Sequence, residues 1–510
     1  SRRQRQMCIR DRRGDEFEIM DSEFANAVEL SYECAPLLES LKEYSEKDIA
    51  CFDVPGHVKN RGVAILNKYL GESLMKMDIN SSPTMDNVSA PNGIIKNAQD
   101  LLAQAYMADE AFFITNGTTQ AIHAMILSVI KPGEKVLLPR NIHKSVINAL
   151  ILCGGIPIFI QPEFDEKLGI SLNITLEKVR TEIEKDCNIK ALFFLNPTYY
   201  GVCADLESII ELCHKNNVLV LVDEAHGAHF PFHLDLPPSA ISLGADMVAV
   251  SIHKTGGALT QSSALLLNRD NVSFEKVLQS INMLQSTSAS YLLMASIDGA
   301  RVNLVENGEK QLSKALNLSR YAKSKLNKID GIKVLSTEIL KQKGVKFIDE
   351  TKLCINVKEL NLTGFEVYDL LYKNFSIQVE LGDSYNILAL VSIGTNKSDI
   401  DRLVKALSII AKVYRKESTL NEFNMVQINP IIKLNPREAF YAPKESVEIN
   451  SCIDRICGES IMAYPPGIPI IAPGELITEE IMEYIIFLKN SNAYLTDVQD
   501  KNLDRILVIK

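Results

Sequence analysis

The sequence has no apolar run approaching the ~20 residues that span a bilayer, and its 54 basic residues are outnumbered by 64 acidic ones. The resulting net charge of −10 argues against binding nucleic acid through a broad basic face. The first residues are basic, but no apolar segment of a secretory signal follows them. We therefore expect neither a membrane nor a nucleic acid among the partners of this protein.

The ten cysteines also lack the paired spacing of a disulfide framework or a zinc site. Cys452 and Cys457 lie five residues apart, but no pair of cysteines or histidines nearby completes a set of metal ligands. Free thiols in a reducing compartment fit this pattern best, so we expect a cytoplasmic protein.

The length of 510 residues and the hydrophobic fraction of 46% predict a globular protein of two to four domains. Charge is dense and apolar periodicity is poor before Met20, whereas prolines crowd together beyond residue 420. From these shifts we expect a leader outside the folded protein at 1–19, an N-terminal arm at 20–68, a large domain at 69–300, a small α+β domain at 301–420 and a C-terminal domain at 421–510.

Short apolar runs alternate with helical patterns through the large domain, and we count seven strands. The runs lie at 111–115, 135–138, 156–160, 191–195, 218–222, 247–251 and 263–267. Helical patterns lie between them, as at 118–130, 144–152, 175–185 and 206–216. Continuous apolar strands that alternate with helices predict a mainly parallel sheet with helices on both faces. Before the first strand, 69–91 is predicted to be a loop and 94–108 a helix.

Polar residues follow five of these strands, at the sheet edge where open parallel sheets bind ligands. The segments are Asn-Gly-Thr-Thr-Gln at 116–120, Pro-Arg-Asn-Ile-His-Lys-Ser at 139–145, Asn-Pro-Thr-Tyr-Tyr-Gly at 196–201, Asp-Glu-Ala-His-Gly-Ala-His at 223–229 and Ser-Ile-His-Lys at 251–254. Any one of them has an ordinary interpretation, since threonine caps helices and a lysine at a strand end can extend into solvent.

Taken together, the five segments match the needs of pyridoxal phosphate (PLP). The glycine and hydroxyls at 117–119 would hold a phosphate at a helix N-terminus. Asp223 would keep the pyridine nitrogen protonated, and Lys254 would form a Schiff base with the aldehyde. An alternative is a zinc or iron site formed by the histidines and carboxylates at 223–233, although Gly227 and Pro231 argue against a regular helix there.

These motifs resemble the fold-type I Orn/Lys/Arg decarboxylase family, and more narrowly its shorter, biosynthetic bacterial arginine (or lysine or ornithine) type. The elements Asn-Pro-Arg-Glu-Ala-Phe at 435–440, Tyr-Pro-Pro-Gly-Ile-Pro at 464–469 and Pro-Gly-Glu at 473–475 fit its C-terminal domain. The resemblance covers roughly residue 25 to the end. It implies a PLP-dependent transferase-like fold and decarboxylation of a basic amino acid, most specifically arginine to agmatine in polyamine biosynthesis.

The resemblance assigns roles to individual residues. Lys254 would be the Schiff-base lysine, Asp223 would pair with the pyridine nitrogen and His143 would stack on the ring. The remaining cofactor-binding residues would be Thr118, Thr119, Gln120, His226, Ser251, His253, Thr287 and Ser288. Of these, Thr287 and Ser288 lie in a segment, 286–291, that resembles one reaching the phosphate of a neighbouring subunit, which implies a homodimer or larger homo-oligomer with shared active sites.

The substrate and the exact reaction remain open at this point. An aminotransferase or lyase on the same scaffold is one alternative, and a catalytically silent protein of the same fold is another. A guanidinium or ammonium group needs a carboxylate, and Glu380, Asp383 and Glu475 are candidates because loops are predicted at their positions. In the segment 85–91, related chains often carry a histidine that is absent here.

Overall fold

The computed structural model describes residues 33–80, 82, 84–415, 429–463, 467–491 and 493–510. The expected leader at 1–19 and the first part of the expected arm lie outside the described residues, as do Tyr464, Pro465 and Pro466. Within the residues described, no helix combines the length and apolar character needed to cross a membrane.

The helices up to the sixth strand of the central sheet are α1 (Pro36–Glu46), α2 (Ala64–Leu70), α3 (Glu72–Met77), α4 (Ile94–Tyr106), α5 (Gly117–Val129), α6 (Lys144–Cys153), α7 (Leu176–Lys185) and α8 (Leu206–Lys215). They are followed by α9 (Ile252–Thr255), α10 (Phe274–Leu284), α11 (Tyr291–Leu326), α12 (Gly364–Phe375), α13 (Lys397–Tyr414), α14 (Pro436–Tyr441) and α15 (Glu479–Asn490).

The strands in the first half of the chain are β1 (Glu110–Ile114), β2 (Lys135–Pro139), β3 (Ile156–Ile160), β4 (Phe164–Asp165), β5 (Ile170–Ser171), β6 (Ile189–Leu195), β7 (Val202–Cys203), β8 (Leu219–Asp223), β9 (Met247–Val250) and β10 (Ser263–Leu267). The later strands are β11 (Lys333–Val334), β12 (Phe347–Ile348), β13 (Lys352–Asn356), β14 (Leu381–Gly382), β15 (Asn386–Leu390), β16 (Lys444–Glu448), β17 (Ile461–Ala463), β18 (Ile468–Ile471), β19 (Leu495–Thr496) and β20 (Arg505–Ile509).

The predicted seven-stranded, mainly parallel sheet is confirmed. Its strand order is β1-β10-β9-β8-β6-β2-β3, and β10 alone runs antiparallel to the other strands of the sheet. Both faces are covered, because alternate residues of one strand enter two different cores. Phe113 and Val248 lie in the first core, whereas Phe112 and Ala249 lie in the second. Burial on both faces explains why the strands are continuously apolar in sequence.

The elements beyond α11 form smaller sheets. The strands β11, β13, β15 and β14 make an antiparallel four-stranded sheet, while β16 pairs with β20 and β17 with β18 and β19. Separate hydrophobic clusters lie around the four-stranded sheet and in the C-terminal region. The domain boundaries expected from the sequence stay a prediction.

One local prediction was wrong. The segment 69–91 was expected to be a loop, but residues 72–77 form α3. The helix begins with Glu72 in its first turn and carries Lys76 in its last turn, which complements the helix dipole. Buried Met75 anchors it. Burial of a single methionine leaves almost no periodic signal in the sequence.

A buried ion pair joins the N-terminal arm to the long helix α11. The carboxylate of Asp298 accepts a hydrogen bond from the backbone N–H of Leu37 at 2.9 Å, which satisfies a free donor at the start of α1. The guanidinium of Arg301, whose side chain is fully buried, donates to the same carboxylate at 2.9 Å and to the carbonyl of Cys34. The arm is therefore held by charged groups as well as by buried Leu37 and Leu41.

Replacing Asp298 by alanine is expected to lower the free energy of unfolding by about 3–5 kcal/mol, because it leaves the Arg301 cation buried without its partner. Differential scanning calorimetry should record a clearly lower melting temperature. Asp369→Ala is the control, since Asp369 forms an exposed pair with Lys373 and should cost less than about 1 kcal/mol. Equal melting temperatures for the two variants would contradict the structural role of the buried pair.

Candidate active site

The candidate active site lies where the carboxyl ends of β8 and β9 meet. Asp223 is the last residue of β8, and it is paired in register with Ala249 of β9. The chain leaves β9 through Ser251 and enters the short helix α9, which carries Lys254. Because the two strands are parallel neighbours, Asp223 and Lys254 approach each other, and each acts on the pKa of the other.

Lys254 is largely buried and forms no ion pair with a carboxylate of the described residues. Its amine lies 3.0 Å from Nε2 of His226. Burial lowers the pKa of Lys254, while Asp223 and Glu380 act in the opposite direction. A lysine that is enclosed in this way is shifted towards its neutral form, which is the nucleophilic form of an amine.

Asp223 is buried, with 4% of its surface exposed. Its Oδ1 accepts a hydrogen bond from the backbone N–H of Ala225 at 3.0 Å, and Oδ2 has no partner among the described residues. Burial raises the pKa of Asp223, whereas Lys254 and the Ala225 N–H lower it. The carboxyl group thus has one oxygen available to a ligand in a low-dielectric environment, where an ionic hydrogen bond is strong.

Three hydroxyls meet beside Lys254. The Oγ1 of Thr118 contacts the hydroxyl of Ser251 and lies 3.1 Å from that of Ser263. Thr118 and Thr119 lie in the first turn of α5, a thirteen-residue helix whose N-terminus has no side-chain cap, and Thr119 is exposed. Thr118 and Ser251, both predicted from the sequence, are thus brought together beside a helix N-terminus with free backbone donors.

Gln120 has a hydrogen-bond partner outside this group, and its predicted contact with the cofactor stays a prediction. It is buried on α5, and its amide nitrogen donates to Oε1 of Gln285 at 3.2 Å. Thr287 and Ser288 are exposed in the segment just before α11. Their exposure leaves them accessible, and the predicted contact with a neighbouring subunit stays a prediction.

Two predicted histidines flank the site in their neutral forms. Burial lowers the pKa of His143 to about 4, and Lys254 adds to the effect. The Nδ1 of His143 accepts from the backbone N–H of Ser145 at 3.2 Å, so its proton lies on Nε2. Burial also lowers the pKa of His253, whose Nδ1 lies 3.0 Å from the carbonyl of Ser262 and donates to it.

His226 stands between two lysines. Its Nε2 faces Lys254, and its Nδ1 lies 3.1 Å from the ammonium of Lys352. The ring of Tyr199 packs against it edge to face, with 4.5 Å between the ring centres. Burial lowers the pKa of His226 far below its ordinary value, and Lys254 and Lys352 lower it further.

Sequence reasoning did not identify Lys352. The residue begins β13 and is 1% exposed. A charged residue at the start of the apolar run 352–357 was the available signal, because a lysine inside a strand that is otherwise buried needs a specific partner. Its partners come from residues more than 120 positions away, which no local pattern could reveal.

The histidines considered as metal ligands point to three separate places. His226 faces the two lysines, His229 lies 3.3 Å from Asp349 and His233 bonds to the hydroxyl of Ser313 at 2.8 Å. In the part of the chain that the structure describes, no three histidine, cysteine, aspartate or glutamate side chains come together as metal ligands. This geometry does not support the alternative of a metal site at 223–233.

The three carboxylates considered for substrate binding have different surroundings. Glu475 is buried and pairs with Arg140 at 3.1 Å. Asp383 accepts hydrogen bonds from the Tyr200 hydroxyl and from the backbone around Asn386. Glu380 accepts one from the Tyr199 hydroxyl at 2.6 Å and lies close enough to raise the pKa values of Lys254 and Lys352. Of the three, only Glu380 acts on the pKa of Lys254.

Comparison with known proteins places this site in a family. The family model described as "Orn/Lys/Arg decarboxylase, major domain" matches residues 35–399, and its C-terminal domain matches residues 420–496. An arginine decarboxylase of Bacillus subtilis is 43% identical over 93% of this chain and 98% of its own length. An arginine decarboxylase of Halalkalibacterium halodurans is 41% identical over 94% of this chain and 98% of its own length.

Solved structures agree with the predicted fold class. Lysine decarboxylase A from Pseudomonas aeruginosa superposes with a TM-score of 0.81 at 21% identity, covering 93% of this chain and 80% of that one. An alanine–glyoxylate aminotransferase from Nostoc matches over 65% of this chain with a TM-score of 0.52 and 18% identity. The resemblance inferred from the motifs is thus confirmed, and the chain belongs to the Orn/Lys/Arg decarboxylase family.

Proposed function

We propose that this chain decarboxylates arginine to agmatine, with pyridoxal 5′-phosphate as its cofactor. The observation that carries the proposal is the approach of a buried amine, Lys254, to a buried carboxylate, Asp223, at the ends of adjacent parallel strands. The choice of arginine is supported by relatives at 41–43% identity that are named arginine decarboxylases. Lysine and ornithine are the alternative substrates.

The side chains around Lys254 fit this cofactor chemically. The amine of Lys254 forms no ion pair with a described carboxylate, so it is available to an aldehyde. Oδ2 of Asp223 can accept an N–H from a pyridine ring. The uncapped first turn of α5, together with the hydroxyls of Thr118 and Ser251, can hold a phosphate.

When bound, the cofactor would accept the electrons released as the bond between the substrate Cα and its carboxylate breaks. The buried carboxylate of Asp223 would maintain that capacity by keeping a proton on the ring nitrogen. His143, with a neutral ring and a proton on Nε2, offers a flat face for stacking. Lys254, whose pKa is lowered by burial, would provide the amine that binds the aldehyde and would later receive or return a proton.

Glu380 is proposed to hold the guanidinium of arginine. Its Oε1 accepts from Tyr199, and its charge reaches Lys254 and Lys352. Asp383 and Glu475 are less suited, because Glu475 is already paired with the cation of Arg140 and both oxygens of Asp383 accept hydrogen bonds, whereas Glu380 accepts from the neutral Tyr199 hydroxyl.

A homodimer with shared active sites is also proposed. Helix α2 has no buried residue, and Phe52 is fully exposed nearby. The apolar side chains exposed in this region include Val54, Ile65, Tyr69 and Leu70. Exposed apolar side chains gathered in one stretch of the chain are typical of a subunit interface. The exposed Thr287 and Ser288 would then be available to the cofactor phosphate of the partner.

Replacing Lys254 by alanine is expected to abolish arginine decarboxylation, because Lys254 is the amine that acts on Asp223 and would bind the aldehyde. Release of labelled carbon dioxide and the visible absorbance of the bound cofactor should both disappear. Lys346→Ala is the control, since Lys346 is an exposed residue paired with Asp205 and should leave both signals intact. Turnover that survives in the Lys254 variant would refute the proposed mechanism.

Replacing Asp223 by asparagine is expected to reduce kcat by at least ~100-fold, because the ring nitrogen loses the anion that keeps it protonated. The cofactor should still bind, since Lys254 is intact, so its visible absorbance should persist with slower turnover. A variant with normal kcat would show that Asp223 does not serve the cofactor.

Replacing Glu380 by glutamine is expected to raise KM for arginine by ~10–100-fold, the range that corresponds to loss of one charge-assisted hydrogen bond. Kinetics with arginine, lysine and ornithine should be measured for the wild type as well, because they also decide the substrate. Asp383→Asn is the matched control and should change KM for arginine far less. An equal effect of both variants would remove Glu380 from the proposed substrate site.

A further inference from the structure

The short segment between β2 and α6 carries His143, the residue proposed to stack on the cofactor ring. Two contacts of this segment come from the part of the chain that precedes β6. The backbone N–H of Arg140 donates to the carbonyl of Ile160 at 3.0 Å, and the side-chain amide of Asn141 donates to the carbonyl of Leu172 at 3.2 Å. Further contacts come from the C-terminal region, which comprises the described residues after 428.

The C-terminal region binds the start of the segment at Arg140. The guanidinium donates from Nη2 to Oε2 of Glu475 at 3.1 Å and to the carbonyl of Ile470 at the same distance. The side chains of Arg140 and Glu475 are 8% and 3% exposed. An ion pair enclosed in this way is costly to break, because breaking it leaves a buried charge without its partner.

The turn that presents Glu475 has a fixed backbone shape. Oε2 of Glu475 also accepts the backbone N–H of Ala472 at 2.8 Å, and the N–H of Glu475 donates to the carbonyl of Ala472 at 3.2 Å. Gly474 has a φ of +94°, and a Cβ atom there would lie 2.3 Å from the carbonyl oxygen of Leu434. Only glycine fits this position. The place of the carboxylate is therefore set by the backbone as well as by its charge.

The C-terminal region also binds the other end of the segment, at Lys144. Lys144 is the first residue of α6, where backbone N–H groups have no acceptor within the helix. Its N–H donates to the carbonyl of Gly467 at 3.1 Å. Its ammonium lies 2.9 and 3.0 Å from the two carboxylate oxygens of Asp497. His143 thus lies between two residues that contact the C-terminal region.

The orientation of the His143 ring depends on the first turn of α6. His143 is the N-cap of this helix, and its Nδ1 accepts from the backbone N–H of Ser145 at 3.2 Å. Because the ring is bonded to the first turn, a shift of that turn would move the ring with it. Burial lowers the pKa of His143 and Asp497 opposes this effect, so the charge of the C-terminal region also reaches the ring.

We propose that the C-terminal region positions His143 in the active site, through Glu475 before it and Gly467 after it. Glu475 and Gly467 are positioning residues, because they contact Arg140 and Lys144 rather than the reacting atoms. The inference rests on the proposed stacking of His143 on the cofactor. It gives the C-terminal motifs at 464–469 and 473–475 a role in the active site.

Hydrogen exchange of the full-length chain tests the contact at Lys144. Amides at the start of a helix ordinarily exchange fast, because they have no acceptor in the helix. The Lys144 amide is expected to exchange at least ~10-fold more slowly than in an unstructured peptide, since Gly467 accepts from it. Mass spectrometry with electron-transfer fragmentation resolves this amide. An unprotected Lys144 amide would overturn the proposal, even if the variants described next failed to fold.

Glu475→Gln removes the charge that faces Arg140 and keeps the size of the side chain. Pyridoxal 5′-phosphate is expected to bind ~3–10-fold more weakly, the range of one aromatic contact, because the stacking of His143 is loosened. The visible circular dichroism of the bound cofactor should change, and the Lys144 amide should exchange faster than in the wild type. A variant with unchanged cofactor affinity and spectrum would contradict the proposal.

Glu459→Gln is the matched control. Glu459 is a buried glutamate of the same region, and its hydrogen bonds are to the backbone N–H groups of Gln499 and Leu507. This variant should leave the affinity and the spectrum of the cofactor unchanged. An effect equal to that of Glu475→Gln would show that general loosening of the C-terminal region is responsible, and the proposal would fall.

A double variant tests whether the effect passes through His143. In a His143→Ala background, Glu475→Gln should weaken cofactor binding little further, as expected for residues that act through one contact. Equal weakening in both backgrounds would rule out the route through His143. Hydrogen exchange and cofactor binding need no substrate, so failure of the proposed arginine decarboxylation would be seen separately in the activity assays.

Discussion

The cost of enclosing an amine among apolar strands is the constraint on which this site depends. Lys254 follows β9, a strand buried along its whole length, so its amine is largely withdrawn from water, unlike that of a surface lysine. An ion pair would satisfy the charge, but it would also hold the amine in its protonated, unreactive form. In this site Asp223 lies near enough to act on the amine electrostatically. The direct contact to the amine comes from the neutral ring of His226.

The central sheet meets this constraint through its topology. Parallel neighbours bring their carboxyl ends to one edge, so residues far apart in sequence arrive together without long loops. Asp223 and Lys254 come from β8 and β9, while Thr118 enters from the helix after β1 and contacts Ser251. The antiparallel strand β10 lies between β1 and β9. It contributes Ser263, whose hydroxyl lies beside that of Thr118.

The smaller four-stranded sheet completes the electrostatics of the site. Lys352 at the start of β13 and Glu380 just before β14 reach the residues that follow β6 and β8. Two lysines and three carboxylates thus act on one another within a largely buried volume. Lys254 lowers the proton affinity of Lys352, and the carboxylates restore part of it. Asp349 raises the pKa of Lys352, and Asp223 and Glu380 act on Lys254 in the same direction, so burial is opposed by carboxylates at both lysines.

The sequence by itself determined the seven strands, their mainly parallel arrangement and the polar segments at their ends. The strands could be predicted because burial on both faces of a sheet produces continuous apolar runs. The polar segments could be placed together because the carboxyl ends of parallel strands lie at the same edge of the sheet. Lys254, Asp223, Thr118 and Ser251 followed from that rule. Only the tertiary structure decided that Glu380, rather than Asp383 or Glu475, acts on Lys254. It alone also revealed Lys352 as the partner of His226. Those relations join residues more than 120 positions apart across two sheets, where only the packing of one sheet against the other sets the distance.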